Sequence, residues 1–166
     1  MERLDFQKWF DDSIITDTGK IGGHPLIVYH GTDNEFYRFS ELHSQMYFFT
    51  ESEKIAKKFS QSEIVRKYYI QMKNPFVVTF GDSWSDLPLS DILNEDDIIN
   101  LLRFYNLLGK DESLENYWKN RKPIDTDKLC YWIRETKEND GVIIHDMNKV
   151  VTEYVVFHPS QIWATR

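Results

Sequence analysis

Three short stretches of this 166-residue chain carry side chains able to do chemistry. His30-Gly31-Thr32 ends the run LIVYHGT, Tyr47-Phe48-Phe49 set three rings in a row, and Glu153 lies inside the otherwise apolar VVTEYVVF. An imidazole at a strand end exchanges hydrogen bonds, aromatic faces accept flat or cationic groups, and a carboxylate stabilises positive charge that develops beside it. Each also has an ordinary explanation. A strand-terminal histidine can be a satisfied hydrogen-bonding group, an aromatic triplet can be core, and a lone strand glutamate can face water.

The elements that must position these residues are legible in outline. Leu4, Phe6, Trp9 and Phe10 predict a short amphipathic helix over Glu2 to Asp12, and TDTGKIGGHP is turn chemistry. Leu26 to His30 predicts a strand buried on both faces, and Met46 to Phe49 a second. Thr50-Glu51-Ser52-Glu53 has the form of a capping box, opening a helix that should carry Ile55, Ala56 and Phe59 inward. EIVRKYYIQM and PFVVTF read as strands joined across Lys73-Asn74-Pro75. Ile98, Leu101, Leu102, Tyr105 and Leu108 recur at helical spacing up to Gly109, a candidate cap, and Leu129, Trp132 and Ile133 mark a further helix. DGVIIHD and VVTEYVVF form a hairpin across Met147 to Lys149. Strands at both ends with helices between them describe an α+β domain, expected to be a single one over residues 1–166, with a helical insertion at about 82–139.

Composition narrows the function classes. With 41% hydrophobic and 28% charged residues the chain is globular rather than disordered. The formal charge of -7 opposes nonspecific binding to nucleic-acid backbones. Cys130 is the only cysteine, so neither an intramolecular disulfide nor a cysteine-based zinc cluster is available. His24, His43, His145 and His158 are scattered without a metal-binding pattern and receive no role; no metal is expected. MERLDFQKWFDD lacks the form of a secretory signal, and no apolar run approaches membrane-spanning length. The expected location is the cytoplasm, including a host cytoplasm if a phage delivers the protein, with no membrane partner.

The order and flanks of the three stretches resemble the ADP-ribosyltransferase superfamily with its His-Tyr-Glu signature. YHGT is similar to the His-Gly-Ser/Thr strand end of that group, MYFFTESEKIAKKF to its aromatic strand and following helix, and TEYVVFHPSQI to the strand bearing its catalytic glutamate. WFDDS, LIVYHGT, YFFTES, MKNPFVV, NDGVII and EYVVFHPSQI together resemble the ADP-ribosyltransferase domains of phage and mobile-element polyvalent proteins. The resemblance implies a split β-sheet core with flanking helices, NAD as substrate, and transfer of a single ADP-ribose to a macromolecule, protein rather than nucleic acid, as a phage or mobile-element effector.

It also implies roles. His30 would hydrogen-bond the adenosine-side ribose, Gly31 would hold the nicotinamide amide through its backbone, and Thr32 would support that turn. Tyr47 would stack on the nicotinamide ring, with Phe48 as the alternative because neighbouring strand residues face opposite ways; Phe59 would supply an opposing ring. Glu153 would bind the nicotinamide-ribose hydroxyl. The chemistry is coherent: cleavage passes through an oxocarbenium-like state, as in glycoside hydrolysis, and nicotinamide departs neutral, so one carboxylate suffices. Relatives specific for arginine carry Glu or Gln two residues before the catalytic glutamate; Val151 stands there, which disfavours an arginine acceptor. NAD hydrolysis in the same site and a non-catalytic NAD- or partner-binding module are the alternatives.

Overall fold

The computed structural model describes residues 3–33, 39–40, 46–81, 84–148 and 150–165. Its helices are α1 (Arg3–Phe10), α2 (Glu53–Ala56, running into a 3-10 turn at Lys57–Phe59), α3 (Leu89–Ile92), α4 (Glu95–Phe104), α5 (Leu114–Lys119) and α6 (Thr126–Thr136). Its strands are β1 (Val28–Thr32), β2 (Tyr47–Thr50), β3 (Ile64–Ile70), β4 (Phe76–Phe80), β5 (Gly141–Asp146), β6 (Val151–Val156) and β7 (Ile162–Ala164). They make an α+β fold around a sheet of order β4-β5-β6-β2-β1-β3-β7. Among the described residues no helix is long and apolar enough to cross a membrane. His43 and Lys149 lie outside the described residues.

Strand alternation divides the apolar side chains between the two sheet faces. Val142, Ile144 and Val155 face Leu101, Leu102, Leu129, Trp132 and Ile133 of α4 and α6. Ile143, Tyr154 and Val156 face the other way, with Val28, Tyr47, Phe49, Tyr68 and Ile70. Burying a large apolar side chain contributes about 2 kcal/mol, and the short helices α3 and α5 are held in this way by Leu89 and Tyr117. The expected β5–β6 hairpin is present, in register from Gly141↔Val156 to Asp146↔Val151.

Several local expectations are corrected. The α2 cap is Ser52, whose hydroxyl accepts from the Ile55 N–H, while Thr50 remains in β2. Of the residues expected to face inward, Ala56 is buried but Phe59 is 63% exposed, because the helix tightens into the 3-10 turn after Ala56 and rotates the ring outward. Helix α4 ends before Gly109: Asn106 takes the left-handed conformation at φ 54°, with Asn106 N–H on the Arg103 carbonyl and Leu107 N–H on that of Leu102. That is a Schellman ending with asparagine in the usual glycine place. Strands β3 and β4 follow one another in the chain but lie far apart in the sheet, and β4 pairs in parallel with β5. Helices α3 to α6 form the crossover between that parallel pair.

Candidate active site

Strand β2 sits between β6 and β1, and Thr50 is the residue where all three strands meet. It registers with Glu153 on β6 and with Tyr29 on β1. On its other edge β1 pairs with β3 along its whole length, from Val28↔Tyr68 to Thr32↔Ile64, whereas Tyr29↔Thr50 is its register with β2. A cavity of about 630 Å³ opens over this junction, within the range of small-molecule sites.

Its floor is made by Tyr29, Gly31, Phe48, Thr50 and Glu153, which alternation places on one sheet face. Ala56 and Phe59 form one wall, after β2; Trp84, Thr126 and Asp127 form the opposite wall, from the β4–β5 crossover. His30 and Phe49 also border the cavity although alternation assigns them to the other face, with Val28 and Tyr47. The cavity reaches them where β1 and β2 part.

Glu153 is 3% exposed, in the centre of the sheet. A carboxylate so placed belongs to a site or a network rather than to solvent. His30 is held by its Nδ1–H, which donates to the Phe48 carbonyl at 2.8 Å. Burial pushes the imidazole below its ordinary value, partly opposed by that hydrogen bond. The ring is therefore neutral at pH 7, with its acceptor nitrogen at Nε2.

Gly31 has a structural reason of its own. A Cβ there would overlap the carbonyl oxygen of Ala56 and lie 2.9 Å from its carbonyl carbon. The close approach that excludes a side chain is thus by α2, not only by a ligand. Thr32 is buried, and its carbonyl accepts from the Ser60 hydroxyl at 2.7 Å and the Ser62 hydroxyl at 3.1 Å. Asp33 accepts from Ser62 N–H at 3.1 Å and from Gln61 N–H. The backbone bond from Ser62 is the largest cause holding its carboxyl below the ordinary range. This clamp ties the end of β1 to the turn after Phe59 and sets that exposed ring at the cavity wall.

Of the residues expected from the sequence, His30, Gly31, Phe48, Phe59 and Glu153 come together around one cavity. Tyr47 does not. It is buried in the opposite core, its ring 5.1 Å from that of Phe39, because β2 turns Tyr47 and Phe48 to opposite faces. Thr32 supports the junction without lining the cavity.

The second wall was not anticipated. Trp84 is fixed by its indole N–H to Asp146 at 2.9 Å, and its carbonyl accepts both the N–H and hydroxyl of Thr126, at 3.0 and 3.1 Å. Asp125 caps α6, accepting from Lys128 N–H and pairing with the Lys128 ammonium, both at 2.8 Å. Asp127, the second residue of α6 and part of the cavity lining, has no hydrogen bond or ion pair among the described residues; burial, and then the Asp125 charge, push its carboxyl up. The Asp125-Thr126-Asp127 cap before an amphipathic run was the available signal.

Residues 21–165 match the family described as ADP-ribosyltransferase in polyvalent proteins. The chain belongs to that family. The match spans β1 to β7 and includes both cavity walls, so this ADP-ribosyltransferase domain takes in the crossover helices as well as the strands. No curated protein and no solved structure shows a significant match.

Proposed function

We propose that this ADP-ribosyltransferase takes NAD as its donor and transfers one ADP-ribose unit to a macromolecular acceptor, releasing nicotinamide. The observation that carries the reading is the burial of Glu153 on the floor of a cavity shared with His30, Gly31 and Phe48. Glu153 binds the nicotinamide-ribose hydroxyl, and its charge faces the carbon at which positive charge develops. The bond between that carbon and the ring nitrogen breaks, its electron pair neutralises the pyridinium, and a lone pair from the acceptor forms the new bond. The acceptor's displaced proton passes to solvent.

Phe48, rather than Tyr47, takes the stacking role, with Phe59 across the cavity. A phenyl face supplies stacking and cation–π attraction without a phenol. Neutral His30 accepts a ribose hydroxyl through Nε2, and the Gly31 backbone holds the carboxamide. The Tyr29 and Phe48 rings that share the floor with Glu153 lower the local polarity and strengthen the effect of its charge.

The test is labelled NAD incubated with a bacterial lysate and either the parent or Glu153→Gln. Glutamate-dependent label on a discrete macromolecule is expected, with nicotinamide release falling at least about a hundredfold in the variant and NAD affinity changing far less. Nicotinamide release without label would replace transfer by hydrolysis. Parental turnover by Glu153→Gln would remove Glu153 from the chemistry.

A further inference from the structure

Sheet order places the two cavity walls on opposite sides of Glu153. On one side are β2, β1 and the Ala56–Phe59 wall; on the other is β5, whose last residue, Asp146, anchors Trp84. The donor residues of the proposed reaction all lie on the first side. The nucleophile must reach the reacting carbon from the side away from the departing nicotinamide, so the Trp84–Thr126–Asp127 wall borders its approach.

That wall has a definite chemistry. Trp84 offers an indole held by hydrogen bonds at its N–H and its carbonyl. Asp127 offers an exposed carboxylate that makes no hydrogen bond or ion pair among the described residues, whereas neighbouring Asp125 is already committed to its cap and to Lys128. With Glu153 below, two carboxylates and one indole border the same space. Lys128 is the basic residue in that turn, and it is engaged by Asp125.

We propose that the Trp84–Asp127 wall is the acceptor subsite and selects a basic side chain, guanidinium over ammonium. The inference rests on the NAD-dependent transfer proposed above and names its acceptor class. A guanidinium is planar, stacks on an indole and pairs with a carboxylate in a fork, which an ammonium cannot do. Val151, two residues before Glu153, carries no polar group; the carboxylate missing from β6 is supplied by α6 instead. In the step itself one guanidinium nitrogen bonds the ribose carbon as the nicotinamide bond breaks. The proton displaced from that nitrogen passes to a cavity carboxylate and on to water, leaving the substituted guanidinium cationic. A nucleic-acid acceptor would bring phosphates against Asp127 and Glu153 in a chain of net charge -7.

The experiment supplies labelled NAD to the parent, Asp127→Asn and Asp127→Glu, with agmatine, polyarginine, polylysine or no acceptor, following label and nicotinamide together. Label on agmatine and polyarginine above polylysine is expected. In Asp127→Asn the ratio of transfer to total NAD consumption should fall at least about tenfold, through KM for agmatine, and Asp127→Glu should recover part of it. Thermal melts of each variant exclude misfolding. If the parent consumes NAD in a Glu153-dependent way but labels no guanidino acceptor, or Asp127→Asn keeps the parental ratio, the subsite is wrong and the NAD reading stands. If the parent neither binds nor consumes NAD, both fall.

Discussion

Gly31 of β1 lies so close to the Ala56 carbonyl at the end of α2 that a methyl group at residue 31 would sit far inside van der Waals contact with the carbonyl oxygen. Because the obstacle is backbone, no rotamer change relieves it. Gly31→Ala should therefore destabilise the fold by about 3 kcal/mol, the upper part of the overpacking range. Removing the Ala56 side chain as well, in Gly31→Ala with Ala56→Gly, should restore nothing. Urea unfolding measures both; a parental midpoint for Gly31→Ala would show that β1 and α2 are not in this contact.

Gln161 joins three parts of the sheet through one buried amide. Its Oε1 accepts from Phe157 N–H at 3.1 Å and His158 N–H at 2.9 Å, and its Nε2 donates to the carbonyls of Gln71 at 3.0 Å and Asp140 at 2.8 Å. Gln161→Ala leaves those backbone groups unmet, each costing about 1 kcal/mol or more when buried, so a loss of about 2–4 kcal/mol is expected. Gln161→Glu keeps the acceptor but sets a carboxylate against two carbonyl oxygens, and should also lower the urea midpoint. A midpoint unchanged in both variants would dissolve the staple.

His30 gives stability a pH dependence of known sign. Its folded-state pKa lies below the ordinary 6.5, burial being the larger cause. The unfolded chain therefore takes up the proton first, and stability present above about pH 6.5 is lost as pH falls from there through the folded value. Unfolding midpoints should decline between pH 7.5 and 5 in the parent and decline less in His30→Asn. Asp33, with a lowered carboxyl, acts only at more acidic pH, below its ordinary 3.8. Parallel pH profiles for parent and His30→Asn would overturn the assignment.

The sequence announced a strand at His30-Gly31-Thr32, although β1 runs two residues later than Leu26 to His30 and is half-buried along its middle. It also announced the β5–β6 hairpin, α4 and α6, because each rests on local periodicity or local turn chemistry. It did not announce which strands are neighbours: β3 and β4, joined by the short segment 71–75, lie near opposite edges of the sheet. It did not place Phe59, since the helix becomes a 3-10 turn under the contact between Gly31 and Ala56, two residues remote in sequence. Trp84 and Asp127 escaped for the same reason. Nothing local marks a tryptophan after β4 as a cavity wall; its bonds to Asp146, 62 residues on, and to Thr126, 42 residues on, hold it there.

Tyr47 and Phe48 separate a chemical role from a packing role on adjacent residues. Phe48 borders the cavity and Tyr47 the opposite core, against Phe39. If Phe48 stacks on the nicotinamide ring, Phe48→Ala should raise the Kd for NAD about tenfold or more, since one ring stacked on a base contributes about 1–3 kcal/mol. Tyr47→Phe keeps the buried ring and should leave Kd within about threefold; Tyr47→Ala should lower the melting temperature by opening a core cavity worth about 3–5 kcal/mol. Calorimetric NAD binding beside thermal melts separates the two effects. An NAD affinity that falls with Tyr47→Phe but not with Phe48→Ala would return the stacking role to Tyr47 and require β2 to present its other face to the ligand.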